Sequence, residues 1–180
     1  MGDEHGFRID GSRTLAAHGF LRLELLDVVG PTGDHVERLA IRHPGAVAVL
    51  PIDVDEVVLM RQFRAPLGDA LLEVPAGKLD VTDEPPIETA ARELEEEVGL
   101  RAGRIEPVLG FWTTPGFTDE FIHLFVATDL TPVAARPHGL EETAADIVRI
   151  PIRDVERAIA AGEIRDVKTL VALQWLLLRV

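Results

Sequence analysis

Apolar and polar side chains alternate through "FLRLELLDVV" (residues 20–29), the period of a half-buried strand. Turn residues "PTGD" (31–34) follow, and "HVERLAIRH" then reads as a second strand, so the pair predicts a hairpin over about 20–42. "GAVAVLPID" (45–53) and "EVVLMRQFR" (56–64) are β-rich runs joined by a turn that suits Asp53 and Asp55. "ALLEVPAGKLD" (70–80) is a short strand that enters a Pro-Gly loop. From Pro85 to Val98 the period becomes helical. Strands are expected near 105–112, 121–128 and 145–150, and helices near 152–161 and 167–179. Mixed strands with separated helices predict an α/β sandwich on a mixed sheet. No internal repeat or low-complexity linker interrupts the chain.

On the first of these helices each residue advances about 100°. Ile87, Ala91, Leu94 and Val98 then share one arc and form the expected buried stripe. Glu93, Glu96 and Glu97 fall in a separate arc, expected on the opposite side. Glu93 and Glu97 are a like-charged i, i+4 pair near the helix C-terminus, where the dipole also disfavours anions. One reading is an exposed acidic face. The other is a cation site, because three carboxylates one turn apart offer the hard oxygen ligands that Mg²⁺ prefers. The helix alone leaves both open.

Composition narrows the chemistry. The formal charge of −13 over 180 residues opposes general binding to nucleic acid or an anionic membrane, both of which need a basic face. Without cysteine there is no disulfide, thiolate metal site or thiol nucleophile. Ser12 is the one serine and lies in a polar segment, so a serine nucleophile is not expected. The longest apolar run, "LVALQWLLL" (170–178), is too short to span a bilayer, and a cytoplasmic protein is expected. The six histidines show no ligand spacing, and Trp112 and Trp175 read as core residues.

What precedes the helix separates the two readings. Gly77 and Glu84 lead into Arg92-Glu93-Leu94-x-Glu96-Glu97-x-Gly99-Leu100. This resembles the Nudix hydrolase signature, with the family's spacing from Glu84 to Arg92 and one extra residue between Gly77 and Glu84. Outside that box, "RQFRAPLGDALLEVPAGKLD", "TTPGFTDE" around Pro115 and "GEIRDVKTLVALQWL" resemble the ADP-ribose pyrophosphatase group.

The resemblance implies a Nudix-type α/β/α sandwich over residues 44–180 and an N-terminal antiparallel β extension over 1–43 that helps form a homodimer. It implies Glu93, Glu96, Glu97 and the Ala76 carbonyl as metal ligands, with Mg²⁺ or alternatively Mn²⁺ as cofactor. Arg64, Glu73 and Pro115 become candidates for contact with a nucleoside diphosphate sugar. The catalytic base is expected in the acidic loop "GLEETAAD" (139–146), with Glu142 preferred to Glu141 and Glu96 as the alternative. The implied reaction is metal-dependent hydrolysis of ADP-ribose to AMP and ribose 5-phosphate. Hydrolysis of another nucleoside diphosphate sugar or of an oxidised nucleotide, and a binding module without activity, are the competing readings.

Overall fold

In a computed structural model, residues 5–179 form two compact units. One comprises the chain through Gly45 together with Trp112–Phe121; the other comprises Ala46–Phe111 and the chain from Ile122 onward.

The first unit is built on a three-stranded antiparallel sheet of β1 (Arg8–His18), β2 (Leu21–Val29) and β3 (His35–Arg42), in that order. The expected hairpin is β2–β3. Strand β1 was not expected, and every one of its residues is exposed. A strand with no buried face has no reason to alternate, so "RIDGSRTLAAH" carries no period-two signal. The 113–120 segment is tied to β3: the Ile41 amide donates to the Phe117 carbonyl (2.7 Å), and Asp119 accepts from both the His43 amide (2.9 Å) and Arg42 (3.0 Å). Trp112 corrects the expectation of a core residue: it is 60% exposed, with its ring edge on Phe121.

The second unit contains, in chain order, β4 (Ala46–Asp53), β5 (Glu56–Arg64), β6 (Asp69–Glu73), β7 (Ala76–Lys78), α1 (Pro86–Val98), β8 (Leu100–Trp112), β9 (Phe121–Pro132), α2 (Leu140–Thr143), β10 (Asp146–Pro151), α3 (Ile152–Ala160) and α4 (Val167–Leu177). The sheet runs β10-β5-β4-β9-β8, with β6 on β5 and β7 on β4. It is mixed: β4 is parallel to β9 and antiparallel to β5 and β7. Strand β4 shows why this is a three-layer sandwich. Its side chains are buried on both faces, as in a central strand covered by helices on either side. Ala46, Ala48 and Leu50 join the core under α3 and α4, with Val155, Leu173 and Leu176. Val47 and Val49 point the other way and pack with Ala90, Leu94 and Val98 of α1.

Helix α1 turns differently from expectation. Its buried residues are Thr89, Ala90, Leu94, Glu97 and Val98, while Ile87 is 42% exposed and Ala91 only half-buried. At 100° per residue, Ala90 and Glu97 lie about 20° apart, on the flank of Leu94. The buried face is therefore rotated toward the glutamates, so Glu97 is not opposite the core but at its edge. Apolar periodicity alone could not locate this face, because one of its members is a carboxylate.

Candidate active site

The site grows out of the junction between β7 and α1. Val74 and Pro75 are buried, and the Pro75 carbonyl accepts from the Val49 amide (2.9 Å), so the segment before the loop glycine is fixed to β4. The next amide, that of Ala76, donates to Oε2 of Glu97 (2.9 Å). Gly77 lies against Glu93: a Cβ at residue 77 would occupy the space of the Glu93 carboxyl. A glycine here leaves room for the Glu93 carboxyl beside the strand.

Arg92 organises the outer side of α1. It donates to both oxygens of Glu84 (3.1 and 3.0 Å), to Glu93 (2.8 Å) and to Glu96 (3.0 Å). Glu84 also accepts from the Thr89 hydroxyl (2.7 Å), and Arg92 and Thr89 together hold its carboxyl below the usual range. The helix stops at Gly99, whose φ of 65° is left-handed and whose amide closes onto the Glu95 carbonyl.

Burial acts against the charged form of the two inner glutamates. Glu97 is 8% exposed, and desolvation pushes its carboxyl up to about 8; the Ala76 amide opposes this, while the charges of Glu93 and Glu142 add to it. Glu93 is also raised by desolvation, with Arg92 opposing and Glu96 and Glu142 reinforcing. Two like charges, one buried and one half-buried, with a backbone donor on Glu97 and an arginine that Glu93 shares with Glu84 and Glu96, make a site that a further cation would relieve. Among the described residues no three His, Asp or Glu side chains already stand in a ligand arrangement; Glu93 and Glu96 are turned onto Arg92. The donor set nevertheless fits a hard divalent ion, since carboxylate oxygens and a backbone carbonyl are the ligands it prefers.

The acidic loop comes to the same place. The Val133 amide donates to the Gly99 carbonyl (2.9 Å) and the Arg136 amide to the Glu96 carbonyl (3.0 Å), tying the segment that leads into the loop to the last turn of α1. The short helix α2 then carries Glu141 and Glu142. Glu142 is half-buried and accepts from the His138 amide (2.6 Å), whereas Glu141 is exposed. His138 also reaches the helix, its Nε2 3.4 Å from Oε1 of Glu96, so it bridges loop and helix. Its sequence gave no sign of this, since the contact depends on how the loop returns.

Arg64, at the end of β5, lies on the other flank. It meets Glu73 side-on, Nε to Oε1 at 2.7 Å and Nη2 to Oε2 at 2.5 Å, and also senses the charge of Glu97. Glu73 is 1% exposed, and its second cation is Lys168 on α4, a residue that pattern reading had passed over. Pro115 belongs to the other compact unit, exposed in the 113–120 segment.

With this geometry in hand, the chain can be set beside known proteins. The model of the NUDIX domain family matches residues 42–171, and the chain belongs to that family. It is 38% identical to an ADP-ribose pyrophosphatase of Bacillus subtilis (strain 168), over 85% of this chain and 83% of that one. It is also 38% identical to a methanol dehydrogenase activator of Bacillus methanolicus, over 88% and 86%. In fold it is similar to a crystal structure of an ADP compounds hydrolase (TM-score 0.84, 24% identity, covering 94% of this chain and 91% of that one). The Nudix-type mixed sandwich and the N-terminal antiparallel sheet read from the sequence are both present.

Proposed function

We propose that this protein is a metal-dependent pyrophosphohydrolase that cleaves ADP-ribose to AMP and ribose 5-phosphate. The observation that carries the reading is the pair of carboxylates at the β7–α1 junction, buried Glu97 and half-buried Glu93, both pushed upward by desolvation although Arg92 contacts Glu93 and the Ala76 amide Glu97. The 38% identity to an ADP-ribose pyrophosphatase over most of both chains supports the choice of substrate.

In this reading Glu93, Glu96, Glu97 and the Ala76 carbonyl would hold the divalent ion, Mg²⁺ or alternatively Mn²⁺. When bound, it supplies a water of lowered pKa and neutralises charge on the bridging phosphates. The chain's own residues do the rest. Glu142, held at one oxygen by the His138 amide, receives the proton of the attacking water. Arg64 presents the N–H groups not taken by Glu73 to a substrate phosphate. Arg92 orients Glu93 and Glu96, and Glu84 orients Arg92.

A homodimer formed through the β1–β3 sheet is part of the proposal, since that unit exposes Ile9, Leu15, Val36 and Leu39. Light scattering after size exclusion tests it, and a monomer would remove it. No helix among the described residues is long and apolar enough to cross a membrane. A cytoplasmic location is also proposed, and cell fractionation tests it.

The decisive experiment is product analysis with Mg²⁺ on ADP-ribose, GDP-mannose, a diadenosine polyphosphate and 8-oxo-dGTP. AMP released fastest from ADP-ribose is the expected result. Preferential cleavage of another member would keep the chemistry and replace the substrate. Cleavage of none would favour a binding module.

A further inference from the structure

Helix α4 enters the site from behind, through a buried polar cluster. Its N-cap, Asp166, accepts from the Thr169 amide (3.0 Å) and hydroxyl (2.6 Å), and the Thr169 oxygen in turn accepts from the Val74 amide (2.8 Å). Lys168, only 7% exposed, donates to Glu73 and lies 3.1 Å from Asp166. Burial alone would raise the Glu73 carboxyl, yet Arg64 and Lys168 together bring it below its usual range. Two cations, Arg64 and Lys168, therefore face two carboxylates, Glu73 and Asp166. Signs alternate from Asp166 through Lys168 and Glu73 to Arg64; the side chains of Lys168 and Glu73 are 9% and 1% exposed, that of Arg64 40%.

A buried Glu73–Lys168 pair would be complete as a structural ion pair. With Asp166 beside Lys168 the four charges sum to zero, and Arg64 is the member most open to solvent. Were Lys168 absent, Arg64 would be the one cation on Glu73, and an incoming phosphate would meet a carboxylate whose charge no second partner offsets. We propose that Lys168 is a positioning residue for substrate binding: it compensates the buried Glu73 carboxylate, so that Arg64, oriented by that carboxylate, keeps its charge for an anionic group of the substrate. This rests on the reading of Arg64 as a phosphate contact.

The test is steady-state kinetics on ADP-ribose with Mg²⁺, with calorimetric titration of inorganic pyrophosphate in the same buffer. Lys168→Met is expected to raise KM about tenfold or more and to weaken pyrophosphate to a similar degree, with kcat and the Mg²⁺ requirement nearly unchanged. In the Glu73→Gln background the same Lys168→Met change is expected to shift KM by less than about twofold, since a neutral amide needs no compensation. That background also covers the case in which the single variant fails to fold, because residue 73 then carries no charge, while Asp166 keeps its hydrogen bonds from Thr169. An unchanged KM in Lys168→Met, a loss confined to kcat, or an equal tenfold rise in the Glu73→Gln background would overturn the proposal. Wild-type protein that does not cleave ADP-ribose, while Lys168→Met still weakens pyrophosphate, would retire the substrate and leave the compensation standing. Cleavage by wild type with undiminished pyrophosphate affinity in the variant would retire the compensation alone.

Discussion

Two buried clusters of charge sit in the same unit, and they are balanced differently. At the start of α4, Glu73 and Asp166 are matched by Arg64 and Lys168, and the Glu73 carboxyl is held below its ordinary range. On α1, Glu93 and Glu97 share one backbone amide and part of Arg92, and both carboxyls are pushed upward. Similar burial thus yields opposite shifts, decided by whether the protein supplies the counter-charge itself. The first cluster needs nothing further to stay ionised; in the proposed function the second is completed by a divalent ion.

The largest effect that would break this contrast is on turnover. Glu97→Gln removes the most deeply buried carboxylate of the unbalanced cluster, and Mg²⁺-dependent kcat is expected to fall on the order of 10³-fold, since the ion contributes several kcal/mol. Retained activity in product assays would remove Glu97 from the metal site. Glu142→Gln comes next, with kcat down on the order of 10²-fold and Mg²⁺ affinity by calorimetry preserved. A full-rate variant would move the base to another group.

Stability against pH sharpens the contrast further. Glu97 titrates near 8 in the folded protein and near 4.5 as an ordinary glutamate, so between these values the folded state binds the extra proton. Stability of the metal-free protein then falls as pH rises from about 5 to 8, by at most a few kcal/mol. Thermal melts in chelator should show the fall, and Glu97→Gln or saturating Mg²⁺ should flatten it. Glu73 has the opposite sign: its folded value is depressed, so its contribution is present above the ordinary carboxylate range and fades as pH drops through the lower folded value. The smallest effect is at an exposed pair. Arg149→Ala breaks the contact with Asp53 (2.6 Å) and should change stability by less than about 1 kcal/mol in denaturant titration.

The sequence was most informative where chemistry and local spacing coincide. Gly77, Arg92 and the three glutamates lie within 21 residues, so their pattern survives in one dimension. Strands β4, β5 and β9 were legible because they bury apolar runs. Features that arise from distant pairing were not. Lys168 meets Glu73 across 95 positions, and a lysine followed by "TLVALQWL" reads simply as a helix start. The buried face of α1 was misplaced by the exposed Ile87, because a buried carboxylate counts as polar in any periodicity. The exposure of Trp112 was not legible, because its apolar neighbours in the sequence do not reveal which contacts its ring makes.

Gly77 offers a practical handle. The atoms a methyl group would meet there belong to the movable end of Glu93 rather than to backbone, and residue 77 does not use the left-handed region. Gly77→Ala should therefore leave the sandwich standing while displacing a single carboxylate, a plug one carbon in size. Such a protein would bind without consuming what it binds, and could be used as bait to capture the small molecule this fold meets in its own cell.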